Sequence, residues 1–150
     1  MHDWHDDHLP TYVVDGENAC IRFQLVWPYA TAIEIPRATV TFSGVLGYYF
    51  EYDLGVSIVF AFQQRPLMES LEKFARQFAE SEIRGWPLFW RGNVEHTRSY
   101  LEEQGAQFFE ISSSYGLSGW ICAKAVAHER SEEVSARRTG IRRAIAKRIG

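Results

Sequence analysis

Residues 38–63 alternate between apolar and polar side chains along two successive segments, and this pattern restricts the fold more than any other part of the chain. In the first segment the apolar residues fall on even positions, namely Val40, Phe42, Leu46, Tyr48, Phe50 and Tyr52. The second segment continues with Val56, Ile58, Phe60 and Phe62. A period of two is typical of a β-strand with one buried face. The pattern therefore predicts two strands that pair as one long β-hairpin.

The length of the loop decides the register of this hairpin. A three-residue loop that ends at Gly55 places Tyr52 opposite Val56 and keeps the whole apolar set on one face, whereas a two-residue loop mixes the faces. Gly55 also suits the left-handed position of such a loop. Because Gly44 and Gly47 leave the alternation unbroken, we expect a bend in the first strand and no bulge.

Shorter strands precede and follow this stretch. Residues 8–14 and 19–26 predict a first hairpin with a tight turn at Gly16, in which Tyr12 lies opposite Ile21. Residues 107–113 and 120–127 predict a further strand pair around a glycine-rich loop.

Two helices are expected between the strands. Apolar residues recur at helical spacing after Pro66, which predicts a helix over residues 66–80. Asn93 is a favourable N-cap for a second helix over residues 94–104, and Gly105 suits the position after its end. The order of strands, helices and strands is typical of α+β proteins. We therefore predict a mostly antiparallel, curved β-sheet of about five to seven strands with one or two packed helices.

Length and charge divide the chain into a body and a tail. The 150 residues suit one domain, which we place at residues 1–130. Residues 131–150 carry six basic and two acidic residues and predict a basic C-terminal helix. The tail thus contributes +4 to a total of −3, and the body carries −7. An acidic body argues against nucleic-acid binding except through the tail.

Hydropathy and cysteine usage indicate the compartment. No run of about 18 apolar residues is present, so no membrane span is expected. The acidic start of the chain is unlike a secretory signal. Cys20 and Cys122 lie far apart in the sequence and are expected to be reduced thiols. These features predict a cytoplasmic protein.

The first eight residues concentrate side chains that can bind metal ions. They are His2, Asp3, His5, Asp6, Asp7 and His8. Imidazole and carboxylate groups suit zinc, manganese or iron, so one hypothesis is a metal-dependent hydrolase that uses His5 and His8. Ligands crowded into so short a segment cannot all converge on one ion, and the alternative is a solvated terminus without metal.

Other catalytic signatures are missing from the sequence. It contains no G-x-S-x-G motif, no cysteine in an activating context and no nucleotide-binding glycine loop. We therefore predict no catalytic residue and no cofactor. The chain is more typical of a binding protein than of an enzyme.

Two groups of aromatic residues are candidates for binding. The first mixes rings with positive charge, as protein-interface hot spots do, and consists of Trp86, Phe89, Trp90 and Arg91. Its alternative is a loop whose rings pack onto the sheet. The second group would form the walls of a small-ligand cup in the curved sheet, and consists of Tyr48, Phe50 and Trp120.

A resemblance to a known group of proteins rests on three pieces of the chain within residues 4–127: WHDDHLPTYVVD with IRFQL, TFSGVLGYYFEY with SIVFAF, and FFEISSSYGLSGWICAKAV. These pieces resemble a diffuse group of small bacterial proteins of unknown function, some of them described as immunity proteins against polymorphic toxins. The resemblance implies a non-catalytic protein that neutralises another protein by binding it. An acidic body suits a basic partner of this kind, and a homodimer is compatible with the sequence.

Overall fold

The computed structural model describes residues 7–26, 38–54 and 58–130. In chain order the elements are β1 (Asp7–Asp15), β2 (Cys20–Val26), β3 (Ala38–Glu51), β4 (Ile58–Arg65), α1 (Leu67–Ser81), a 3₁₀ turn (Glu82–Arg84), α2 (Val94–Glu103), β5 (Gln107–Tyr115) and β6 (Ser118–Arg130). The predicted basic helix at residues 131–150 lies outside the described residues.

The six strands form one antiparallel sheet in the order β1-β2-β3-β6-β5-β4. A short pairing between β1 and β4, with Asp7 opposite Val59 and His8 opposite Ile58, closes the sheet into a barrel. The two helices pack against its outer surface. The predicted α+β class, antiparallel sheet and packed helices are therefore confirmed.

The long hairpin predicted at residues 38–63 is wrong. Both segments are strands, but β3 pairs with β6 on one edge and with β2 along residues 38–43 of the other, and it does not pair with β4. The second segment, β4, pairs with β5 and β1 instead. Alternation identifies the buried face of a strand, whereas its pairing partners at the two edges depend on residues far away in the sequence.

The first arm of that stretch also changes face, contrary to the expected bend without a bulge. The register of β3 on β6 shifts between Val45 and Gly47, which is the mark of a β-bulge. Val45 before the shift and Phe50 after it pack with the barrel interior, whereas Leu46 and Tyr49 pack with the core under the helices.

The hairpin of β1 and β2 is present, but its register differs from the prediction. The turn covers residues 16–19, and Val14 rather than Tyr12 lies opposite Ile21. The Asp15 carboxylate accepts hydrogen bonds from the backbone N–H and the Nδ2 of Asn18, at 3.1 and 2.8 Å. These bonds stabilise the longer turn. The predicted pair of β5 and β6 is confirmed.

The barrel interior is filled by aromatic rings. Phe23 contacts Phe62 and Phe42, with ring centroids 4.8 and 5.9 Å apart, and Phe42 continues the series to Phe109 at 5.1 Å. Phe23 and Phe42 are fully buried. Each such side chain contributes about 1.5–3 kcal/mol of transfer free energy, so the barrel is a packed core and not a channel.

A second core lies between the helices and the outer face of the sheet. The predicted apolar stripe of α1 faces it, with Leu71 and Phe78 fully buried. Asn93 caps α2 as predicted, because its Oδ1 accepts the backbone N–H of His96 at 2.8 Å. Gly105, with φ 67°, follows the end of α2 in the left-handed conformation that was predicted there.

Candidate functional site

One candidate site is an apolar groove of about 550 Å³ beside the middle of β3. Three parts of the chain line the groove. They are residues 14–16 and 19–21 at the tip of the β1–β2 hairpin, residues 45–50 of β3, and residues 86–88 of the segment 85–93 that connects the 3₁₀ turn to α2, which we call the link. Most of its wall is apolar, which is typical of sites that bind apolar groups.

The groove follows the edge of β3 and not one of its faces. Successive side chains of a strand point to opposite faces, so a groove on one face would be lined by every second residue. Here six consecutive residues, 45–50, contribute to the wall. The groove therefore runs along the backbone, with Tyr48 and Phe50 on one side and Leu46 and Tyr49 on the other.

This edge has no neighbouring strand in the described part of the chain. The pairing with β2 ends where Cys20 lies opposite Ser43, and one further hydrogen bond joins the N–H of Val45 to the carbonyl of Ala19 at 2.9 Å. β3 nevertheless continues to Glu51, held on its other side by β6. We call residues 46–51 of β3, on the side of β2, the open edge.

The link between the helices forms the outer wall of the groove because β3 allows a close approach there. A Cβ on Gly47 would lie 2.7 Å from Cε1 of Phe89, so only glycine leaves room for that ring. Phe89 is 1% exposed, and its neighbour Leu88 is turned outward with 80% of its surface exposed. The link thus buries Phe89 and exposes the preceding residue, Leu88, to solvent.

Exposed apolar side chains from all three parts surround the groove. Besides Leu88, they are Tyr48 at 39% and Val14 at 38% exposure. Single exposed apolar residues are ordinary, but several that converge on one concave surface are typical of interaction sites. Sequence reasoning missed Leu88 and Val14, because an apolar side chain in a sequence predicts burial and carries no signal of exposure.

Acidic groups stand at both ends of the groove. Asp15 lies at the hairpin end, where the hydrogen bonds from Asn18 hold the pKa of its carboxyl below the usual value. Asp53 lies beyond the other end, two residues after Glu51, whose own side chain lines the polar cleft described below. Asp53 Oδ2 accepts a hydrogen bond from Tyr12 Oη at 2.5 Å, and the Tyr12 ring packs on Phe50 with centroids 5.2 Å apart. Both ends therefore favour positively charged groups.

The hydrogen bond from half-buried Tyr12 to exposed Asp53 predicts a loss of stability at high pH. Burial of the ring, together with the bond to Asp53, raises the pKa of Tyr12 from 10.0 to about 12. The native state therefore keeps the phenolic proton longer than the unfolded chain, so this contribution is complete below about pH 10 and is lost as the pH rises through about 12. We expect wild type to lose stability more steeply than Tyr12→Phe between these values in urea unfolding experiments. Parallel curves for the two proteins would contradict the assignment.

The predicted partner-binding residues lie in the link, and most of their surface is used within the chain. Phe89 is buried, and Trp86 and Trp90 are half-buried against the core under the helices. The Arg91 guanidinium stacks 3.8 Å from the centroid of Tyr100 and donates from Nη1 to the carbonyl of Leu88 at 2.8 Å. Of the four, only Trp86 lines the groove. Partner binding by this group remains a prediction.

The predicted small-ligand residues do not share one surface. The rings of Tyr48 and Phe50 are in tilted contact, with centroids 4.9 Å apart, and both residues line the groove. Trp120 is fully buried on the opposite face of the sheet, in the core under the helices. The bulge in β3 and the alternation along β6 place these rings on different sides.

The predicted metal ligands lie at the edge of the described residues, which begin at Asp7. His5 lies outside them, and His8 is described only by its backbone pairing in β1. Among the described side chains, no group of three or more histidine, cysteine, aspartate or glutamate residues could hold an ion. Cys122 is a free, buried thiol whose pKa burial raises to about 12, so it is not a nucleophile at neutral pH.

A second, polar cleft of about 360 Å³ lies between β4, β5 and α1. Its centre is Glu110, which binds Arg65 Nε at 3.1 Å and Lys73 Nζ at 2.8 Å and keeps only 14% of its side chain exposed. The two cations neutralise this carboxylate and join the three elements. The cleft therefore has a structural role in attaching α1 to the sheet.

In the described part of the chain, no helix combines the length and apolar character needed to cross a membrane. A scan against models of protein families, a search of curated proteins and a search of solved structures each find no match to this chain.

Proposed function

We propose that this protein is a non-catalytic binding module for another protein and that the apolar groove is its binding surface. The observation that carries the proposal is the convergence of exposed Leu88, Tyr48 and Val14 on a concave apolar wall. Burial of aromatic and aliphatic side chains in such a depression is the usual source of affinity at protein interfaces.

The proposed partner is basic, and the proposed action is immunity-like neutralisation by binding. Asp15 at one end of the groove and Asp53 near the other support a partner that places positive charge beside an apolar centre. The acidic body of the chain supports the same choice, since long-range attraction raises the rate of association. The resemblance to immunity proteins is a further reason for this form of the proposal.

A second candidate function is the binding of a small apolar molecule in the same groove. Its volume of about 550 Å³ falls within the range of small-molecule sites. Tyr48 and Phe50, from the predicted ligand set, would contact such a molecule. Protein binding is preferred because the groove is open along a strand edge and its apolar residues project outward.

We expect Leu88→Gln to abolish or strongly weaken partner binding without affecting folding. The substitution keeps the size of the side chain and its exposure, but it removes the most exposed apolar group of the groove. The immobilised wild-type protein is used to capture proteins from the organism that encodes it, and the captured partner is then titrated as a purified protein by calorimetry. The dissociation constant should rise by about tenfold or more.

Ile83→Gln is the matched control, because Ile83 is 94% exposed, lies nearby in the 3₁₀ turn and does not line the groove. A partner that both wild type and Ile83→Gln retain and Leu88→Gln loses supports the proposal. Equal binding by all three proteins contradicts it. A small molecule that native mass spectrometry detects on wild type and not on Leu88→Gln, with no captured protein, favours the second candidate instead.

A further inference from the structure

We infer that the partner enters the groove as an extended segment that pairs its backbone with the open edge of β3. The inference rests on the proposed function and specifies how the partner binds. The bound segment would be a seventh strand beside residues 46–51 of β3. It would occupy the space next to the turn at residues 16–19, where the β1–β2 hairpin ends.

Backbone groups are the first reason for this mode of binding. Along the open edge, alternate N–H and C=O groups point away from β6 and lack a strand partner among the described residues. An unpaired edge is a template for another chain, and proteins usually protect one with lysine, proline or a cover. Residues 46–50 contain only leucine, glycine, tyrosine and phenylalanine, so neither lysine nor proline protects this part of the edge.

The two walls of the groove are the second reason. A strand beside β3 would direct successive side chains to opposite faces of the sheet. One set would meet Tyr48 and Phe50, and the other would meet Leu46, Tyr49 and Trp86. Both walls are apolar, so the geometry suits a segment that is apolar at most positions and does not alternate with polar residues.

Charge specifies the ends of the segment. The open edge is six residues long, with Asp15 at the hairpin tip beside one end and Asp53 beyond the other. A segment of about six apolar residues with lysine or arginine at its ends would therefore match both the wall and the charges. This is an extended basic-apolar-basic peptide of a partner protein.

The test uses random peptides displayed on phage and selected on the full-length wild-type protein, followed by synthesis of a selected peptide. Each backbone nitrogen of that peptide is methylated in turn, which removes one hydrogen-bond donor and leaves the side chain unchanged. Strand pairing uses the donors of every second residue. Methylation should therefore weaken binding by about tenfold or more at alternate positions and by less than about twofold between them.

Hydrogen exchange of the protein is the second measurement. Alternate amides of residues 46–51 should exchange rapidly in the free monomer and become protected when the peptide binds. Protection that is already complete in the free monomer would mean that another segment of the chain occupies the edge, and it would overturn the inference. A wild-type dimer that Leu88→Gln dissociates would assign the edge to a second copy and would overturn it as well.

The outcomes separate this inference from the proposed function. A peptide that binds wild type and Ile83→Gln but not Leu88→Gln, and that tolerates methylation at every position, leaves the groove as a binding site and refutes strand pairing. If no peptide distinguishes wild type from Leu88→Gln and no protein is captured, both proposals fail. A selected peptide without basic ends, whose binding is insensitive to salt, refutes the assigned charge of the segment.

Discussion

Gly119→Ala should lower the free energy of unfolding by about 3–5 kcal/mol, because the added methyl group has no space and the backbone has no freedom to accept it. Gly119 lies near the start of β6 with φ 144°, a conformation that L-residues rarely adopt. A Cβ built there would overlap the carbonyl oxygen of Tyr49 and approach Cα of Phe50 to 3.1 Å. These atoms belong to the backbone of β3, which cannot move away without breaking its pairing with β6.

Gly16→Ala is the control for this substitution. A Cβ on Gly16 would meet nothing within 4 Å, and its φ lies outside the left-handed range. We expect its free energy of unfolding to stay within about 0.5 kcal/mol of wild type. Urea unfolding followed by circular dichroism measures both variants. Equal stabilities of the two variants would mean that β3 and β6 do not approach each other as described.

Substitution of Gly119 is also expected to change the groove. Tyr49 and Phe50, which Gly119 approaches from the β6 side, line the groove on the opposite edge of β3. Any Gly119→Ala protein that remains folded must therefore shift the open edge. We expect such a protein to lose affinity for the partner even though residue 119 does not line the groove.

Trp120→Ala should cost about 4 kcal/mol of stability, because it removes the centre of the core under the helices. The indole is fully buried and contacts the rings of Phe74, Phe78, Trp86, Phe89 and Phe108, with centroids 5.0–6.1 Å away. Three elements meet at this side chain, namely α1, β5 and the link. The resulting cavity cannot be filled without moving one of them.

Trp120→Phe separates the effect of packing from that of hydrogen bonding. The indole Nε1 is buried and has no hydrogen-bond partner among the described residues, so phenylalanine removes volume without removing a bond. We expect this variant to lose about 1 kcal/mol. Urea unfolding followed by far-ultraviolet circular dichroism avoids the change in fluorescence that loss of a tryptophan causes. Equal losses for the two variants would contradict this account, because they would show that a smaller ring preserves none of the packing.

Local sequence patterns determined most of the elements. The apolar stripe after Pro66 predicted α1 because a helix brings every third or fourth residue to one face, and the cap of Asn93 predicted the start of α2 because its side chain satisfies a nearby N–H. Alternation likewise identified β3 and β4 as strands. All of these signals act between residues close together in the chain, so the sequence alone contains them.

Which strands pair with each other was determined only by the tertiary structure. The alternation of residues 38–63 is satisfied equally by a hairpin and by two strands with other neighbours, and closure of the barrel chose β2 and β6 for β3. The candidate site depends on the same choice, because the groove exists where β2 ends before β3 does. Phe89 and Leu88 are both apolar, and only the tertiary contacts of Phe89 with Gly47, Phe78 and Trp120 explain why Phe89 is buried and Leu88 faces solvent.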